Sequence, residues 1–514
     1  MKRILVVALI GVLILSGCSS KSREEILLEE TQKHLEELTD MMSELTQKVD
    51  EQNNEILKLE KDNKELIAQL SATPSPTPTN TLTPTPKPQV AYDGSEVSLT
   101  FYHTMGQRSA DILKKYIKEF NEIYPNIHVH ASRIGTYDDL RDQISTELTV
   151  GSQPNIAFCY PEHVALYNNI YSDYRVIPLD YFIVDEDFAI RADGMIETLG
   201  LTDYQIHDFY HAFFEEGASF ADGYMYCLPF SKSSEVLYYN KTFFEENGLK
   251  IPKTWDEMEE LCYTIKKIDT KCIPLGYDSE ANWFITMCEQ YGSDYTKAED
   301  EQILFDNRQN KEFVRRFANW YKNGLVTTQY LYGAYTSGLF VAETGTKCYM
   351  TISSSSGARH QLPTQDRNGN YPFEVGVSMI PQVDILNPKV FFQGPNLCIF
   401  DSDDYQEIVA SWLFVKYITL NAEFQAEFAI ETNFIPVISS ATETDIYQAY
   451  MKQNGIVQRV AGVCLEQENA YFSTPAFASS DKVKDEVGRL MQRCFVRIDG
   501  IDTFFEEAVK KCQY

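Results

Sequence analysis

The chain has 514 residues, 44% hydrophobic and 13% aromatic, enough to build two or more packed domains and too apolar for a disordered protein. Its 45 Lys and Arg stand against 75 Asp and Glu, and the net charge of −30 repels nucleic acid and anionic lipid head groups. A small anionic ligand is not excluded, because one Arg or one helix N-terminus overrides the mean field locally.

At the N-terminus, Lys2 and Arg3 precede an apolar run from Ile4 to Leu15 that is too short to span a bilayer and ends in Leu15-Ser16-Gly17-Cys18. This resembles a bacterial lipoprotein signal. The resemblance implies that residues 1–17 are removed and that Cys18 becomes the acylated, palmitate-bearing start of a short tether, residues 18–23, on the extracytoplasmic face of the cell membrane. Two or more acyl chains anchor stably where one is marginal. The ten other cysteines form no C-x-x-C pair, which argues against zinc ribbons and thioredoxin-type chemistry, and apolar settings such as Ile156-Ala157-Phe158-Cys159 predict buried free thiols.

Residues 24–70 carry coiled-coil spacing. Leu28, Leu35, Met42, Val49, Ile56, Asn63 and Leu70 fall at one core position of the heptad and Leu38, Leu45, Leu59 and Leu66 at the other, interrupted by Thr31 and Gln52. β-branched Val49 and Ile56 facing Leu favour a parallel homodimer, and Asn63 is the residue type that fixes strand number. A single charged helix is the alternative. Residues 71–91 follow as a Pro/Thr/Ser-rich linker, semi-rigid and without material for a core.

From residue 92 to 514 the pattern changes. A strand at Val97 to Tyr102 passes into a helix from Ser109 to Tyr124; a strand from Ile127 to Ser132, a helix from Tyr137 to Val150 and a strand from Asn155 to Tyr160 follow. Such alternation predicts an α/β fold with parallel, helix-covered sheets, whose ligands gather at the carboxyl ends of the strands. That rule points to Tyr102, His103 and Thr104 and to Tyr160, Pro161 and Glu162. Further on, Glu235 to Asn240 reads as a strand with Asn240 opening a helix, and Thr254 with Glu257 forms a capping box for a helix from Trp255 to Lys267.

The stretch LPFSKSSEVLYYNKTFFEENGLKIPKTWDEMEELC, Leu228 to Cys262, is similar to the family 1 extracellular solute-binding proteins, the group with maltose-binding and glycerol-phosphate-binding members. GSQPNIAF (151–158), FVAETGTKCYMTISSSSG (340–357), FEVGVSMIPQ (373–382), FQGPNLCIF (392–400) and ASWLFVKYIT with TNFIPV (410–437) match in order and spacing. The resemblance implies a periplasmic-binding-protein-like fold of two α/β lobes joined by a multi-crossing hinge. It also implies service as the sugar-capturing component of an ABC importer, with the permease's membrane subunits as partners and no cofactor or metal. The ligand-binding residues implied are Tyr102, His103, Tyr137, Tyr160, Glu162, Ser233, Ser234, Trp283, Ser355, Gly357, Gly394, Asn396 and Phe434. Flat aromatic faces cover the C–H surface of a sugar, and carboxylates, amides and hydroxyls satisfy its OH groups. For Trp283, within the apolar run Asn282-Trp283-Phe284, core packing is the competing use.

Three other readings compete. An enzyme such as a glycoside hydrolase needs two carboxylates across a sugar cleft, but acidic pairs are everywhere in this chain. No G-x-S-x-G, H-E-x-x-H or P-loop motif is present, and Asp366-Arg367-Asn368-Gly369-Asn370 reads as a β-turn rather than a calcium loop. The long coil and linker fit a surface sugar receptor that does not transport. Within transport, the alternative cargo is glycerol 3-phosphate or a glycerophosphodiester, for which Arg133, Arg359 and His360 are the available cations.

Overall fold

The computed structural model describes residues 88–170, 172–173 and 175–513. Cys18, the leader, the coil and most of the linker lie outside the described residues.

Strand β1 (Val90–Tyr92) pairs with β5 (Phe188–Ile190), which pairs with β6 (Ile196–Thr198), in a small outer sheet. Strands β2 (Val97–His103), β3 (Ile127–Arg133) and β4 (Ile156–Cys159) run parallel, and β16 (Asn396–Ile399) and β7 (Leu228–Pro229) complete a five-stranded sheet in the order β3-β2-β4-β16-β7. The helices Gln107–Ile123 and Tyr405–Leu420 pack beside it. In β2 alternate residues Val97, Leu99, Phe101 and His103 are buried, and in β4 all four are, as a strand covered on both faces requires. Thr136 caps the helix Tyr137–Leu148 with a capping box to Asp139, which fixes where that helix begins at the strand ends.

A second lobe is built on β8 (Ser233–Asn240), which takes antiparallel partners on both sides. Its sheet runs β12 (Val326–Thr328), β9 (Leu275–Tyr277), β13 (Met350–Ser354), β8, β15 (Val390–Gln393), β17 (Tyr471–Phe472), with β14 (Val375–Ser378) also on β8. β10 (Thr296–Lys297) and β11 (Gln302–Ile303) form a separate hairpin. Trp255–Ile268 begins at Thr254 with the capping box read from the sequence, and Asn240 accepts the Phe243 N–H at 2.9 Å to start the next helix. The aromatic core holds Trp255, Trp283, Phe317 and Trp320, and Trp255 Nε1 donates to Gln290 at 2.8 Å. All ten described cysteines are buried free thiols.

The chain crosses between lobes three times: at 230–232, at 394–395, and between Met451 and Ile456, where the helix Asp445–Met451 packs on the first lobe and Ile456–Glu466 on the second. At Gly394 a Cβ would stand 2.2 Å from the Ser231 carbonyl oxygen, so the first two crossings touch backbone to backbone. Fully buried Lys232 donates to the Glu216 carboxylate, to Gly394 O at 3.0 Å and to Asn396 Oδ1 at 2.9 Å, while Asn396 Nδ2 donates to Glu216 at 2.8 Å. A buried ion pair whose ammonium has three acceptors and whose carboxylate takes a second donor is the arrangement that makes its desolvation tolerable.

Candidate functional site

On the first lobe, β2, β3 and β4 run parallel, so their carboxyl ends share one edge. Tyr137, at the start of the capped helix, bonds through its side chain to Thr104 and Tyr160, and its ring lies 4.9 Å from that of Tyr160 at 57°. Burial raises both phenols. Half-buried Glu162 follows in the next helix, Pro161–Asn169, its acidity weakened first by burial and restored in part by Lys484.

On the second lobe, β9, β12 and β13 are parallel and β8 runs against them, so the carboxyl ends of three strands meet the amino end of the fourth. Ser354 faces Glu235 in register, and Gln393 faces Ser233. There a pocket of about 220 Å³ opens, lined among others by Ser233, Ser234, Glu235, Asp278, Asn282, Phe391 and Gln393. A neighbouring pocket of about 390 Å³ shares Asp278, Tyr335, Ser353 and Ser354 with it and adds Ser356, Gly357 and His360. Glu235 Oε2 accepts the Tyr277 hydroxyl at 2.8 Å, and burial pushes its carboxyl up to about 7. Asp278 Oδ1 holds the Thr336 N–H and hydroxyl, each at 2.7 Å, while its buried Oδ2 has no partner. A larger cavity, about 610 Å³, sits at the other end of β8 and β13, beside Asn240 and Tyr349, away from these strand ends.

The lobes meet at the helix Ser480–Val496 of the second. Arg141 donates to Asp481 at 2.5 Å, and Lys484 donates to Gln393 at 3.2 Å and lies over the Phe391 ring, next to Glu162.

Of the residues expected from the sequence, Tyr137, Tyr160 and Glu162 share the first-lobe edge, and Ser233, Ser234 and Gly357 line the second-lobe pockets. Others stand elsewhere. Tyr102 turns to the helix Tyr137–Leu148, its hydroxyl 3.5 Å from Glu147, because successive strand residues face opposite ways. His103 is buried between Phe101 and Phe158, its Nδ1 accepts the Met105 N–H at 3.1 Å, and burial lowers its pKa to about 4. Ser355 is buried behind the pocket, where it accepts the Ser234 N–H at 3.1 Å. Gly394 and Asn396 belong to the hinge, and Phe434 packs against the core beside Ile435, which pairs with Lys232. Trp283 requires a correction: it is fully buried, stacked on Tyr277 at 4.6 Å and covered by Phe317, so it offers no face to a ligand. The sequence reading missed Glu235, Asp278, Asn282, Gln329, Tyr335 and Lys484. Applying the strand-end rule to LGYDS, VTTQ and TISSS of the second lobe finds the second-lobe positions Asp278 and Gln329.

Residues 115–453 match the family model described as bacterial extracellular solute-binding protein. The sn-glycerol-3-phosphate-binding periplasmic protein UgpB of Yersinia pestis bv. Antiqua is 24% identical over 250 residues, 45% of this chain and 53% of the relative. The chain thus spans about half the length of that curated relative. Among solved structures, the cyclic alpha-maltosyl-1,6-maltose binding protein of Arthrobacter globiformis superposes with a TM-score of 0.64 at 19% identity, covering 81% of this chain and 99% of the other. UgpB of Mycobacterium tuberculosis, in complex with glycerophosphocholine, gives 0.61 at 16%, covering 81% and 98%. At these identities the likeness establishes a shared fold.

Proposed function

The chain belongs to the family of bacterial extracellular solute-binding proteins, and on that premise we propose that it captures a carbohydrate between its two lobes and delivers it to the membrane subunits of an ABC importer. The observation that carries this reading is the second-lobe site: serine hydroxyls, amides, two carboxylates and aromatic edges, with no Lys or Arg among the described residues lining the two pockets. Sugar hydroxyls find acceptors and donors there, and a phosphate finds neither Lys nor Arg. Tyr137 and Tyr160 face the same cleft from the first lobe. Closure about the three crossings would let the solute touch both edges at once, and the solute's differential affinity for the closed form drives the motion.

The proposal includes the N-terminal parts: a leader over 1–17, an acylated Cys18 opening 18–23, a dimerising coil over 24–70, a linker over 71–91 and the two-lobed domain over 92–514. Binding without catalysis accounts for the whole site. Glycerol 3-phosphate or a glycerophosphodiester is the second reading, favoured by Lys484 at the rim of the cleft and by the cargo in the names of the two UgpB proteins.

A calorimetric and thermal-shift panel on the full-length chain tests this, with maltose, maltotriose, glycerophosphocholine and sn-glycerol-3-phosphate as probes. The proposal expects a saccharide to bind with little dependence on salt. Binding of the phosphates alone, weakening as ionic strength rises, would replace it with the second reading.

A further inference from the structure

Among the described residues four glutamates are buried outright. Glu216 is paired with Lys232, Glu486 with Arg489 and Lys511, and Glu280 takes the Thr328 hydroxyl. Glu235, 5% exposed, lines the second-lobe pocket with neutral donors, Tyr277, Thr286 and Asn282, on its carboxylate. In the same pocket the buried Oδ2 of Asp278 has no partner at all. A buried carboxylate without a counter-charge is costly, and a second one beside it raises the cost. Phe391 and Tyr335 stand around the two acids, and aromatic rings beside carboxylates suit a small cation.

We propose that the second-lobe pocket receives a protonated primary amine of the solute, held by Glu235 and Asp278, so that the cargo is an amino sugar. The inference rests on the carbohydrate reading above and names the sugar class. An ammonium group supplies three donors and the missing positive charge, which a neutral hydroxyl does not.

The groups facing Glu235 set the pH dependence. From β9 these are Tyr277 and Asp278, from the helix Glu280–Gln290 Asn282 and Thr286, and from β13 Ser354; His360 lies in the adjoining pocket, and Lys484 is held at the rim by Gln393. In the empty site burial, reinforced by Asp278, keeps Glu235 partly protonated near neutrality. A bound ammonium favours the carboxylate, so Glu235 releases a proton on binding and affinity rises from pH 6 toward about 7, then falls where the amine itself loses its proton.

The test is isothermal titration of the full-length chain, between pH 6 and 8 and in two buffers of different ionisation heat. The probes are a glucosamine disaccharide, its N-acetylated form, maltose and sn-glycerol-3-phosphate. The proposal expects the free amine to bind roughly 10- to 100-fold tighter than its N-acetylated form, with proton release. Glu235→Gln should abolish that preference, read as the ratio of the two affinities within the variant and not as either affinity alone. Asp278→Asn gives a second, independent variant, and unliganded melting curves establish that both fold. If the N-acetylated sugar or maltose binds as tightly as the amine, or the preference survives in Glu235→Gln, the amine assignment is wrong and the carbohydrate reading stands. If only sn-glycerol-3-phosphate binds, both fail.

Discussion

His103 and Glu235 are both buried at strand ends, yet burial moves them in opposite senses. A neutral His103, lowered to about 4, contributes stability that is present above the ordinary histidine range and is lost as pH falls from about 6.5 through 4. Glu235, raised to about 7, is favoured protonated, so its contribution is present at and below the ordinary glutamate range and is lost as pH rises through about 7. Between about pH 4.5 and 6.5 the two slopes oppose each other, each on the order of 2–3 kcal/mol. Chemical denaturation of the single variants should separate them: on going from pH 7.5 to 5, the acid-side loss should shrink in His103→Asn and deepen in Glu235→Gln. A pair of unchanged profiles would contradict the burial argument. At this scale the sequence was a partial guide. It placed Tyr160 and Glu162 beside the strand end by the rule that ligands gather at the carboxyl ends of parallel strands, but the alternation of β2 turned Tyr102 away and buried His103. Trp283 illustrates the limit: an indole's size suits a sugar face and a core equally, and only the rings of Tyr277 and Phe317 decide between them.

The first-lobe elements from Val97 to Cys159 were legible, since each carries its own period and Thr136 caps the second helix. The hinge was not. FQGPN reads as a ligand turn, whereas Gly394 is needed because the crossing at 231–232 passes against it, and Asn396 completes the network around Lys232. Such a network depends on residues far apart in sequence, Glu216, Lys232 and Asn396, which no local pattern joins. Lys232→Met should leave Glu216 buried and unpaired, costing about 3–5 kcal/mol of unfolding free energy, and pairing it with Glu216→Leu should recover most of the loss. Urea unfolding of the single and double variants measures both. Equal stability of Lys232→Met and the wild-type chain would show that the ion pair is not structural.

At the scale of the molecule, the Ser480–Val496 helix of the second lobe bridges to the first through Arg141–Asp481 and the Lys484–Glu162 neighbourhood. The family and its two lobes followed from the order of several short segments, none of which is decisive alone. The second-lobe pocket was legible only at Ser233 and Ser234, because the rest of its lining, with Asp278, Gln329 and Ser354, comes from strand ends that only the sheet order brings together. The central claim is that one solute is gripped by both lobes. Its most direct test is a double-variant cycle across the cleft, Tyr160→Ala with Asp278→Ala, read by titration calorimetry of the full-length chain with the tightest saccharide of the panel. The account predicts that each variant alone weakens binding by at least about tenfold, as for a central contact, and that the two effects are not additive, since losing either edge already prevents closure. Wild-type affinity in either single variant would place the solute on one lobe only and contradict the account.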